Sequence, residues 1–145
     1  MAAVDDLDQV LVQWHPASDE FLKGNPEPVK KMWSHREDVT LANPYGPPVR
    51  GWDKVEEVID HATAQAREGR LVSVEIVAKQ VTSELAYVVQ IEHPEAELGA
   101  RENITPFALR VTMIFRPVEE GAWKIVHRHA DPITTPQVAE SVIQE

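Results

Sequence analysis

The sequence predicts an α+β fold, with three N-terminal helices packed on a curved, mostly antiparallel sheet, and three observations predict it. Before Arg70, apolar residues recur at helical spacing. After Arg70 the chain changes to four β-rich runs, separated by short polar turns apart from one longer loop. No internal repeat, low-complexity tract or interdomain linker interrupts this order, so residues 1–145 are expected to form one domain. Helices first and a meander of strands after them give a helical layer on one sheet face. Such a layer and a bent sheet can enclose a cone-shaped pocket.

Taken in order, Leu7, Leu11, Trp14, Ser18 and Phe21 form one helical stripe, which predicts a helix from about Asp5 to Lys23. Pro16 inside it lacks an amide donor, so a kink or break near Trp14 is expected. In GNPEPVKKMWS, Asn25 reads as an N-cap with Pro26 at the first helical position, and Val29, Met32 and Trp33 as the buried face of a short second helix. DVTLANPYGPPVRG holds too much Pro and Gly for a helix, and predicts a short strand from Val39 to Asn43 running into a turn. Val55, Val58, Ile59, Ala62 and Ala66 define a third helix, with Gly69 as its stop. The strands follow as LVSVEIVAKQV, LAYVVQIE, FALRVTMIFRPV and AWKIVHRHA, with HPEAELGAREN as the longer, solvated loop.

Composition narrows the function classes. Asp and Glu number 24 against 14 Lys and Arg, a formal charge of −10 that repels phosphate backbones and anionic lipid. Nucleic acid and membranes are therefore not expected partners. The absence of cysteine excludes disulfides and thiolate chemistry. The N-terminus MAAVDDLDQ has neither the basic nor the apolar segment of a secretory signal, and no apolar run approaches spanning length, so a cytoplasmic protein is expected. G-x-S-x-G, H-E-x-x-H, a phosphate-binding glycine loop and a dinucleotide fingerprint are all missing, so no cofactor is expected.

The order of elements resembles the NTF2-like (cystatin-like) superfamily over nearly the whole chain. Within it, DVTLANPYGPPVRGWDKVEEVI and LRVTMIFRPVEEGAWKIVHRHADP resemble the SnoaL-like, DUF4440-type branch related to ketosteroid isomerase. The second stretch also resembles the association domain of calmodulin-dependent protein kinases, which has a similar W-x-x-V-H-x-H run. Two departures bear on activity. The steroid isomerases carry a general-base carboxylate just before a Pro at the end of the first strand, where this chain has Asn43. Their enolate-binding acid aligns with Met113. An amide cannot take up a proton near neutral pH and a thioether cannot donate a hydrogen bond, so steroid isomerisation by that route is not expected.

The resemblance implies a cavity for a modest, largely apolar molecule with a polar group. His127 and His129, two residues apart on the last strand, share a face with Asp131. Comparison with the isomerases turns that face toward the cavity; comparison with the kinase domain turns Arg128 and Ala130 inward instead, and a β-bulge would exchange the faces. The His face is taken as the cavity side. On that reading His127, His129 and Asp131 are the catalytic set, with His127 or His129 as general acid or base, one imidazole presented to the cavity and the other hydrogen-bonded in the sheet or across a dimer contact. Asn43, Tyr45 and Arg128 contact the substrate, and Trp14, Trp33 and Met113 wall it. The pair lacks the further ligands that zinc requires, so no metal is expected. Arg110 is expected on the outer face, paired with an acid such as Glu75. The activity implied is that of a cofactor-free isomerase, cyclase or dehydratase; the alternative is a noncatalytic binding or oligomerisation module, and a homodimer through the outer sheet face is expected on either.

Overall fold

Helix α1 spans Ala3–Phe21 in a computed structural model that describes residues 3–119 and 121–144. Its stripe is buried at Leu7, Trp14, Ala17 and Ser18, while Val12 faces water. Pro16 does not break it. Pro16 lies on the exposed side with Val12, whose carbonyl loses its helical donor where water can take that donor's place. The Thr63 hydroxyl donates to the Phe21 carbonyl at 2.7 Å and closes the C-terminal end. Helix α2, Glu27–Met32, buries Val29 and Met32; Pro26 is its cap position, and Asn25 Oδ1 accepts from the Glu27 amide at 3.3 Å.

Strand β1, Thr40–Ala42, pairs with β2, Val49–Arg50, a strand the sequence pattern did not predict. Helix α3 covers Trp52–Thr63 and stops well before Gly69. The residues beyond it belong to β3, Ala66–Val81, because pairing with β4, Ala86–Leu98, outweighs the helical pattern of their side chains. Ala66 is buried as expected, but from a strand. The expected loop HPEAEL is likewise the second half of β4, and β5, Thr105–Pro106, pairs alongside it. Strands β6, Leu109–Glu119, and β7, Ala122–Asp131, complete a sheet ordered β2-β1-β7-β6-β4-β3. Every pairing is antiparallel except β1 with β7.

Bulges bend this sheet around the helices. The β3–β4 register slips between Arg67 and Arg70, between Leu71 and Ser73, and between Ile76 and Ala78, each time placing one extra residue on β3. Gly69 sits at the first slip for want of room: a Cβ there would lie 2.5 Å from the Glu95 carbonyl oxygen and 2.6 Å from the Ala96 Cβ. Trp33, Phe115, Leu7, Leu71, Met113 and Ile125 fill the core between sheet and helices. No helix among the described residues is long and apolar enough to cross a membrane.

A further bulge overturns the expected orientation of the last strand. Phe115 pairs with Ile125 and Ile114 with His127, which leaves Val126 as the extra residue on β7. Trp123 and Ile125 point inward before it, and Arg128 and Ala130 after it. His127, His129 and Asp131 therefore lie on the outer face, not in the cavity.

Candidate functional site

The bent sheet and the helices enclose a cavity of about 280 Å³. Helix α1 contributes Trp14, Ser18 and Phe21, α2 and its exit contribute Val29 and Trp33, and α3 contributes Ile59 and Ala62. The sheet contributes Leu41, Leu71, Glu92, Arg128 and Ala130, with Asn43, Tyr45 and Phe107 from the loops beside it. Tyr45 is half exposed and belongs to the mouth, where the Asn43 side chain accepts from the Tyr45 amide at 3.0 Å and fixes the turn.

One ionic cluster interrupts the apolar wall. Strand alternation buries Ala86, Val88, Gln90 and Glu92 on one face of β4, and brings Arg128 from β7 to the same side. Arg128 binds the Glu92 carboxylate through both terminal nitrogens, Nη2 to Oε1 at 2.8 Å and Nη1 to Oε2 at 3.0 Å. Oε2 also accepts from Gln90 Nε2 at 2.7 Å and Trp14 Nε1 at 3.0 Å. The guanidinium lies 4.8 Å from the Trp14 ring centre, in cation–π contact, and 3.5 Å from Met113 Sδ. Burial pushes the Glu92 carboxyl up, but Arg128, helped by Gln90 and Trp14, more than offsets it and holds the group below the usual carboxylate range. A carboxylate held so is a charged structural member and a poor proton acceptor near neutral pH.

Of the residues singled out from the sequence, Trp14, Trp33, Asn43, Tyr45 and Arg128 come together at the cavity. Met113 is fully buried behind Arg128 and does not line the cavity. His127, His129 and Asp131 form a separate network outside. His127 Nδ1 meets the Thr40 hydroxyl at 2.7 Å across the β1–β7 pairing. His129 Nε2 lies 3.0 Å from Asp131, which also receives a two-bond ion pair from Arg110. Neither imidazole reaches the cavity. Arg110 is on the outer face but pairs with Asp131, its direct neighbour in register, because Glu75 is two strands away with Ile91 between. Burial, then His129, pushes the His127 imidazole down. No cluster of three or more His, Asp or Glu side chains among the described residues is placed to hold a metal ion.

Sequence reasoning missed Glu92. Its signal was present: the alternation through Ala86, Val88, Gln90 and Glu92 carries two polar residues along the buried face.

A family model described as a SnoaL-like domain matches residues 7–134. No curated protein matches the chain. Among solved structures, an NTF2-like superfamily protein from Salmonella enterica serovar Typhimurium aligns with a TM-score of 0.74 at 15% identity, covering 94% of each chain. A ketosteroid isomerase-like protein from Erwinia carotovora atroseptica aligns at 0.70 with 18% identity, covering 88% of this chain and 94% of its own. An NTF2-like protein with a cystatin-like fold from Novosphingobium aromaticivorans aligns at 0.63 with 14% identity, covering 99% and 90%. At these identities the likeness shows the fold, which is the NTF2-like cone.

Proposed function

We propose, from the premise that the chain belongs to the SnoaL-like domain family, that it binds a small, mostly apolar molecule in the cavity. Glu92 and Arg128 then form a fixed polar wall and do not act as an acid–base pair. The observation that carries this reading is the cavity itself, mostly apolar and bordered by a buried ion pair. Its volume of about 280 Å³ is at the lower end of ligand sites, roughly 300–1,000 Å³. It would hold about nine water molecules, or roughly ten to fourteen bonded non-hydrogen atoms, which pack closer than water.

The test is a titration of isotope-labelled protein with toluene, followed by NMR. Methyl signals of Ala62, Ala66 and Ala130 should shift in a saturable manner while the His127 and His129 ring signals stay in place. Shifts confined to the outer face, or none at all, would sink the reading.

A second reading concerns assembly and is supported by the outer sheet face. Three register rows there, Tyr87–Ile114–His127, Val89–Thr112–His129 and Ile91–Arg110–Asp131, include one carboxylate, and Arg110 neutralises it. In a chain of charge −10, a face with so little uncompensated negative charge is where a second copy could approach. The two readings are compatible, because the cavity opens on the other side of the sheet.

A further inference from the structure

We propose that Ser18 is the hydrogen-bonding anchor of the cavity, and that the ligand is an uncharged single-ring compound carrying a hydroxyl or carbonyl oxygen. The inference rests on the reading of the cavity as a ligand site and names what that site selects. Ser18 follows Trp14 by four residues, so both side chains leave the same face of α1 and both border the cavity. A serine buried within a helix ordinarily returns its hydroxyl to the carbonyl four residues back. Here Ser18 Oγ is buried and has no hydrogen-bond partner among the described residues.

The polar atoms of the ionic cluster and of the turn are engaged. Both Glu92 oxygens and Trp14 Nε1 are used within the ionic cluster, and Asn43 Oδ1 accepts from the turn at the mouth. Ser18 Oγ is thus the buried side-chain atom of the wall left without a partner among the described residues, and a turn about its Cα–Cβ bond would let it donate to a carbonyl or exchange a hydrogen bond with a ligand hydroxyl. Charge selects further. Glu92 and Arg128 compensate each other, so an ionic ligand would leave water without finding an unpaired counter-charge. Shape completes the description: Trp14, Phe21, Trp33 and Phe107 present aromatic surface around a volume sized for one substituted ring.

The experiment compares toluene, para-cresol and 4-methylbenzoate, titrated into wild-type protein and S18A, with cavity signals followed by NMR. These probes differ by one hydroxyl or one carboxylate on the same ring. The preference for para-cresol over toluene, taken as the ratio of their dissociation constants, should fall roughly 3–10-fold in S18A, the range for one net hydrogen bond. In both proteins 4-methylbenzoate should bind most weakly. Unliganded S18A should melt at or above the wild-type temperature, since the substitution removes an unpaired hydroxyl and adds a better helix former. An unchanged cresol-to-toluene ratio, or a melting temperature lowered by several degrees, would overturn the anchor role. Tightest binding of 4-methylbenzoate would overturn the uncharged class. In each of these cases toluene binding still stands for the cavity as a ligand site, whereas a wild-type cavity that answers none of the three probes would remove that reading and this inference together.

Discussion

At Glu92, an amide in place of the carboxylate keeps the side chain's shape and removes its charge, leaving Arg128, whose side chain is 13% exposed, without a counter-ion. Losing one partner of a buried pair costs roughly 3–5 kcal/mol. Arg128 borders the cavity, where water can reach it, so E92Q should lose about 3 kcal/mol, read as a lower urea midpoint at unchanged slope. The pH dependence follows from the same pair. Because the folded carboxyl lies below its usual range, the stability it contributes is complete above the ordinary carboxylate pKa and is lost as the pH falls through the lower folded value. E92Q should lack that acid-side loss. His127, pushed down by burial and then by His129, adds a second loss that begins in the imidazole range: as pH falls there, the unfolded chain takes up a proton the folded chain resists. An E92Q profile superimposable on the wild type would show that the ion pair contributes nothing to folding. Four residues of the wall, Trp14, Trp33, Asn43 and Tyr45, were legible from the sequence because tryptophans on helical stripes and a turn asparagine carry recognisable patterns. The face of β7 was not, since the one residue that exchanges His127 for Arg128 is Val126, whose side chain gives no sign of a bulge.

Strand β3 poses the corresponding problem for an element. Its first residues look helical in isolation, and Gly69 looks like a helix stop, yet the segment is strand because β4 offers it a ladder from Leu98 to Glu95. What distinguishes the two readings is contact distant in sequence, which local periodicity does not carry. The same limit explains why the second half of β4 passed for a loop: Pro94 and the surrounding glutamates suit a solvated turn until β3 and β5 pair on either side. By contrast α1, β6 and most of β7 were legible, because each keeps one period over a long run. Gly69 provides the test. G69A would press a methyl against the Glu95 carbonyl, the Ala96 Cβ and the Leu22 Cβ at 2.5, 2.6 and 2.9 Å, so backbone must move on both strands. We expect a loss of about 1–3 kcal/mol by urea unfolding. G46A meets nothing within 4 Å and should fall within about 0.5 kcal/mol of wild type. If the two variants were equally stable, the close approach at the bend would not matter to folding.

For the whole molecule, the open issue is what the convex side of the cone does. The family match and the alignments show how the chain folds, but at 14–18% identity they say nothing of assembly. The argument for a dimer is physical. Four strands spaced about 4.8 Å apart and roughly ten residues long give a face on the order of 650 Å² before side-chain relief is added. That approaches the ~800 Å² per partner of a stable interface. Its middle holds Val89 and Ile91, half-buried even without a partner, and the Asp131 carboxylate there is paired with Arg110, which leaves Glu75 on the β3 side of the face. Wild-type protein at micromolar concentration should therefore scatter light as twice the 16.3 kDa chain mass. V89E would set a carboxylate against its own symmetry mate across a two-fold axis, where like charges directly opposed are destabilising. It should scatter as one chain, keep its circular dichroism spectrum, and still bind toluene, because Val89 is on the face opposite the cavity. A wild type of single-chain mass, or a V89E protein that stays paired, would show that this face is not where copies meet.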